Sequence, residues 1–106
     1  MPAGHTVRPH KWSNVIDLYD DGENSAIWGI YDTDGTEKPR CLGVRWNGDP
    51  DTTGYPNQGI NPLWYVEPGF VTKNILLELL DRVNTNPSDG SLNNILLALR
   101  EFQASN

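Results

Sequence analysis

The chain has 106 residues, with 14 acidic against 8 basic side chains and a formal net charge of −6 at pH 7. That length suits one domain with a modest core, and the charge repels nucleic-acid phosphates and anionic membranes. The lone cysteine, Cys41, excludes an intramolecular disulfide and a cysteine-based zinc cage.

Residues 1–13 are expected to form a flexible N-terminal arm, because Pro2, Gly4 and Pro9 interrupt a stretch without hydrophobic period. Residues 14–106 then make a single α+β domain. The arm lacks the apolar run of a secretory signal, and no segment approaches the ~18 apolar residues of a membrane span. A cytoplasmic location without a membrane partner follows as the expectation. Arg8 and Lys11, beside His5 and His10, give the arm positive charge that can pair with acidic turns. Two histidines on a flexible arm do not make a metal site, so no metal is expected.

Asn14 to Asp20 has strand character and runs into the turn residues Asp21, Gly22, Glu23 and Asn24. Ser25 to Asp32 is the second predicted strand. The Asp- and Gly-rich residues up to Pro39 form the next turn, and Arg40 to Trp46 is the third strand. Such close spacing demands antiparallel neighbours, since parallel ones need a crossover of about a dozen residues. Asn47 to Pro62, with its prolines and glycines, reads as a long loop, and Leu63 to Glu67 as a fourth strand.

Two helices are predicted to follow. In Val71 to Asn84 the residues Ile75, Leu76, Leu79, Leu80 and Val83 make one apolar stripe, with Thr72 as candidate cap. Pro87 and the Asp89-Gly90 pair break the pattern, and Ser91 is the expected cap of a helix whose stripe is Leu92, Ile95, Leu96, Leu99 and Phe102. The fold class is therefore α+β: a four-stranded antiparallel meander with two C-terminal helices packed on one face. The related segments Asn74–Leu79 and Asn94–Leu99 place Leu77 and Leu97 off those stripes, which nominates them for a homodimer contact through the helices.

Strand alternation divides the sheet. Ile16, Leu18, Trp28, Ile30, Leu42, Val44, Trp46, Trp64 and Val66 are expected to face the helices. Asp17, Tyr19, Ile27, Gly29, Tyr31, Cys41, Gly43, Arg45, Tyr65 and Glu67 are expected on an open face. There Tyr19, Tyr31, Tyr65 and Arg45 would flank a shallow trough over Gly29 and Gly43, with Tyr55, Asn57, Gln58 and Asn61 at its rim. Tyrosine and arginine dominate binding hot spots through wide contact area with a polar handle. The expectation is a non-catalytic protein-recognition module, a small acidic adaptor, inhibitor or immunity-type protein whose partner has a basic surface. Binding of a sugar or nucleotide through the aromatic residues and the 47–62 loop is the alternative.

Catalytic patterns are missing from the sequence. The histidines lie in the arm, and Cys41 has no base near it in sequence, although Arg40 and Arg45 would lower its pKa if they approached it. The pairs Asp20/Asp21 and Asp49/Asp51 are turn residues, and the calcium-like start DPDTTG ends on Ile60 where an EF-hand loop requires Glu. No nucleotide-binding glycine motif is present, so no cofactor is expected.

Overall fold

The computed structural model describes residues 4, 8, 11–31, 38–48, 51–58 and 61–105. Strands β1 (Trp12–Asp20), β2 (Asn24–Tyr31), β3 (Cys41–Trp46) and β6 (Tyr65–Val66) form an antiparallel sheet in the order β1-β2-β3-β6. Between β3 and β6 the two-residue strands β4 (Asn57–Gln58) and β5 (Asn61–Pro62) pair with each other, so the expected loop contains a minimal ladder. Helices α1 (Gly69–Thr85) and α2 (Leu92–Ser105) follow, separated by a 3-10 turn at Pro87–Asp89. The fold is the α+β arrangement expected from the sequence.

Local chemistry explains the boundaries. In the first turn, Asp21 Oδ1 accepts the amides of Glu23 (2.9 Å) and Asn24 (2.8 Å), and Asp20 Oδ1 accepts that of Gly22 (2.9 Å). These carboxylates close the hairpin, as turn aspartates commonly do. Ser91 is the cap of α2: its Oγ accepts the Asn94 amide at 3.2 Å. Thr72, by contrast, lies inside α1, where its buried hydroxyl donates to Pro68 O at 3.0 Å. Pro68 occupies the N-cap position of α1.

β1 begins at Trp12, two positions before the predicted start, and it is irregular. Asn14 has φ 51°, and the pairing with β2 shifts between Ser13 and Ile16 and again between Asp17 and Tyr19. Each shift is a β-bulge, which inserts a residue and reverses the facing of everything beyond it. Alternation counted from Asp17 therefore holds for Leu18 and fails at Tyr19. Tyr19 comes to lie opposite Ala26, and Leu18 and Tyr19 are both buried.

The main core lies between sheet and helices. Leu18, Tyr19, Ala26, Trp28 and Leu42 meet Leu76, Leu79 and Val83 of α1 and Ile95 and Ala98 of α2. The predicted α1 stripe is buried or half-buried throughout. On α2 the buried pair is Ile95 and Ala98, whereas Leu92 and Leu96 are exposed. The small Ala98 lets this side of the helix sit against the sheet and turns the two leucines outward. The helix is tied down further by Glu101, which accepts the Trp28 indole N–H at 2.8 Å and the Arg40 Nε–H at 2.9 Å. Arg40 Nη2 also pairs with its second carboxylate oxygen.

The opposite face is not open. Trp12, Ile27 and Trp64 form a second buried cluster, flanked by Val15, Tyr31, Cys41 and Val66. Trp64 and Val66, expected beneath the helices, belong here because Val66 pairs with Gly43 and Tyr65 with Val44. The trough expected over Gly29 and Gly43 is filled by the chain itself. A Cβ on Gly29 would stand 2.8 Å from Val15 Cγ2, and one on Gly43 would stand 2.9 Å from Trp12 Cη2. The glycines make room for packing, not for a ligand.

Gly4 and Arg8 of the N-terminal segment reach this framework. The Gly4 amide donates to Asp20 Oδ2 at 2.9 Å, and Arg8 pairs with Asp17 at 2.5 Å. His5, His10, Asp32, Asp49, Gly59 and Ile60 lie outside the described residues, and with them the readings made on the histidine pair, on Asp49 and on the calcium-like loop. No helix of the described residues is long and apolar enough to cross a membrane.

Candidate functional site

The site arises where the helix-side face of the sheet runs past its helical cover. Trp46, the last residue of β3, exchanges two backbone hydrogen bonds with Tyr55, of 2.8 and 2.9 Å. Directly paired residues in an antiparallel ladder project to the same face. Tyr65 sits opposite Val44 by the same logic. Three aromatic rings from three separate segments thus gather beside Ile75, Leu79 and Arg82 of α1, around an open groove of about 350 Å³. Trp46 is 40% exposed, Tyr55 66% and Tyr65 48%, so the rings wall the groove without being absorbed into the core.

One end of the groove is polar. Buried Tyr19 presents its hydroxyl there and donates it to Asp21 Oδ2 at 2.9 Å. Burial pushes the Tyr19 phenol above its ordinary pKa. Burial alone would also raise Asp21, but the amides of Asn24 and Glu23 and the Tyr19 hydroxyl outweigh it and hold this carboxyl below its usual range. Arg82 is held protonated by the Tyr19 hydroxyl and by Glu78, which it contacts at 2.8 Å. At neutral pH this end presents a neutral phenol, a carboxylate and a guanidinium.

Arg45 supports the groove from the other side of the sheet. It is 3% exposed, and it donates through Nη1 to Leu63 O (2.6 Å) and Pro56 O (3.4 Å), and through Nη2 to Thr53 O. Its guanidinium lies 5.9 Å from the centroid of the Trp64 ring. Among the described residues no carboxylate neutralises it and its Nε has no hydrogen-bond partner, so burial lowers its pKa. A cation satisfied by carbonyls from both arms of a loop fixes that loop's path. Arg45 thereby sets where Tyr55 stands.

The residues expected to share an open sheet face are therefore dispersed. Tyr19, Tyr55 and Tyr65 reach the groove, and Arg45 borders it as a buried residue. Tyr31 packs against Trp12 on the far face, with ring centroids 5.3 Å apart. Asn57 turns its amide back to Gly54 O at 2.6 Å, and Gln58 is exposed in β4. Leu77 is exposed as expected, but Leu97 is half-buried, and the exposed leucines of α2 are Leu92 and Leu96. Trp46 is the groove residue the sequence reading missed. Its face was assigned correctly; its position beyond the reach of α1 has no sequence signal except its place at a strand end before a glycine- and proline-rich loop.

Arg40 is engaged by Glu101, and burial pushes the Cys41 thiol above its usual pKa. Asp20 and Asp21 are hydrogen-bonded within the hairpin turn. Among the described residues no group of three His, Cys, Asp or Glu side chains is placed to hold a metal ion. What the groove offers is aromatic surface, one carboxylate and one balanced guanidinium.

No family model, no curated protein and no solved structure matches the chain.

Proposed function

We propose that this domain is a non-catalytic protein-recognition module, a small acidic adaptor or inhibitor-type protein of the cytoplasm, which holds its partner in the groove of Trp46, Tyr55 and Tyr65. The observation that supports this reading is the gathering of three partly exposed aromatic rings on one face by backbone pairing. Rings set on hydrogen-bonded backbone lose little freedom on binding and bury a large area, which is why aromatic residues dominate interface hot spots. The net charge of −6 favours a partner with a basic surface and accelerates their encounter.

Affinity capture from a native lysate with wild-type protein and with the triple variant Trp46→Ala, Tyr55→Ala, Tyr65→Ala tests the surface. The variant is expected to keep its far-UV spectrum and cooperative melt while losing the captured partner. A Tyr31→Ala control on the opposite face retains it. Undiminished capture by the triple variant removes the groove from the interface.

The concavity of the same groove favours a second reading, binding of a small sugar or nucleobase stacked on the rings. A volume of about 350 Å³ lies near the lower end of small-molecule sites, which run from ~300 to ~1,000 Å³. Under that reading a free small molecule from a low-molecular-weight extract perturbs the rings without any protein partner.

A further inference from the structure

Resting on the protein-recognition reading above, we propose that the groove seats a single basic side chain of the partner, an arginine or lysine, with its cationic head among the rings of Trp46, Tyr55 and Tyr65 and turned toward the carboxylate of Asp21. The faces of aromatic rings carry negative quadrupolar charge and attract cations, most strongly for tryptophan. Among the described residues none of these three rings stacks on another ring or lies under a cation of its own chain; the ring contacts found are Trp12 with Tyr31 and Arg45 over Trp64. The second of these is an internal instance of the same pairing. It places a guanidinium over an indole elsewhere in the fold.

The polar end supplies the complementary charge. Asp21 Oδ1 accepts two backbone amides, while Oδ2 accepts the Tyr19 hydroxyl and keeps a further lone pair. The groove's own cation, Arg82, is shared among the Tyr19 hydroxyl, Glu78 and Asp21, so two carboxylates stand against one guanidinium at this end. An anionic ligand would meet this carboxylate within a domain of charge −6. A long aliphatic stem ending in a cation instead matches both parts of the site, with the stem along Ile75 and Leu79 and the head at rings and carboxylate. The modest volume fits one such side chain better than a folded element of a partner.

The test uses the intact protein and short capped peptides that differ at one central residue: arginine, lysine, citrulline, acetyl-lysine or norleucine. Binding is followed through the Trp46 indole N–H and the Tyr55 and Tyr65 ring resonances. Arginine and lysine peptides are expected to shift these signals saturably, with affinity about tenfold above that of the citrulline and acetyl-lysine peptides and weakening as salt rises. Asp21→Asn keeps an acceptor for the turn amides and is expected to reduce that preference. Tyr55→Ala, which removes the most exposed of the three groove rings and leaves the turn untouched, is expected to weaken the cationic peptides several-fold. Equal binding of arginine and citrulline peptides at these rings overturns the cation assignment while leaving protein recognition in place. If no peptide perturbs the three rings, the cation assignment is overturned as well, and capture by the triple variant reports separately on whether the groove is an interface at all.

Discussion

The two faces of the sheet are closed in different ways. The helix-side face is covered by two amphipathic helices whose stripes interlock with Leu18, Trp28 and Leu42. The other is covered by single large rings, Trp12 and Trp64, lowered onto Ile27 and Gly43 from irregular segments. A periodic cover spreads its contacts over many residues and leaves its exposed remainder at the ends, which is where the aromatic groove opens. A cover made of isolated rings depends on the few positions beneath them being small.

Three substitutions sharpen that contrast, and the largest effect is expected in the helical core. Leu76 is fully buried on α1, and Leu76→Ala should destabilise the domain by about 2–5 kcal/mol, read as a lower urea midpoint. On the opposite face, Gly43→Val forces Trp12 and Ile27 apart and should cost about 1–3 kcal/mol. That change should disturb the Trp12 and Tyr31 resonances while leaving those of α1 and α2 in place. If Gly43→Val disturbs both covers equally, the two clusters are one cooperative core and the contrast dissolves.

The smallest effect concerns the tie between α2 and the sheet. Glu101→Gln should cost about 1–2 kcal/mol near neutrality, because it removes the charge paired with Arg40 and weakens the bond from Trp28. Arg40 holds the Glu101 carboxyl below its ordinary pKa. Its contribution is therefore fully present above the unfolded value of ~4.3 and is lost as pH falls through the lower folded value. Denaturation across an acid series should show the gap between wild type and Glu101→Gln closing below about pH 4. A gap that persists into strong acid assigns the effect of the substitution to packing instead of charge.

The helices, the α1 stripe, the Ser91 cap and the antiparallel order were legible in the sequence because each follows from local chemistry or from a period, whereas Leu92 and Leu96 of the predicted α2 stripe are exposed. The facing of the strands was legible only where the ladder is regular. Trp28, Leu42 and Val44 could be assigned by counting, whereas the bulge at Leu18 carried Tyr19 to the helix side. The short β6 took the opposite parity to the one assumed, exchanging Tyr65 for Trp64 and Val66. Arg45 was assigned to the correct face, but its burial depends on carbonyls brought by the chain between Thr53 and Leu63. A strand pattern cannot announce a partner supplied by an irregular segment. The groove was half visible for the same reason: Tyr55 and Tyr65 were singled out, but what unites them with Trp46 is long-range pairing.

The patchwork along the outer margin of β3 has one more effect. Tyr55 pairs with Trp46, β6 pairs with Gly43 and Val44, and the Glu67 amide donates to Leu42 O at 3.0 Å. The margin is thus hemmed by short, discontinuous pieces of chain, and the outermost strand is only two residues long. Along this margin, among the described residues, neighbouring molecules find no extended row of vacant amides on which to grow a shared sheet. Exposed tryptophan and tyrosine can accordingly stand beside this margin without templating aggregates.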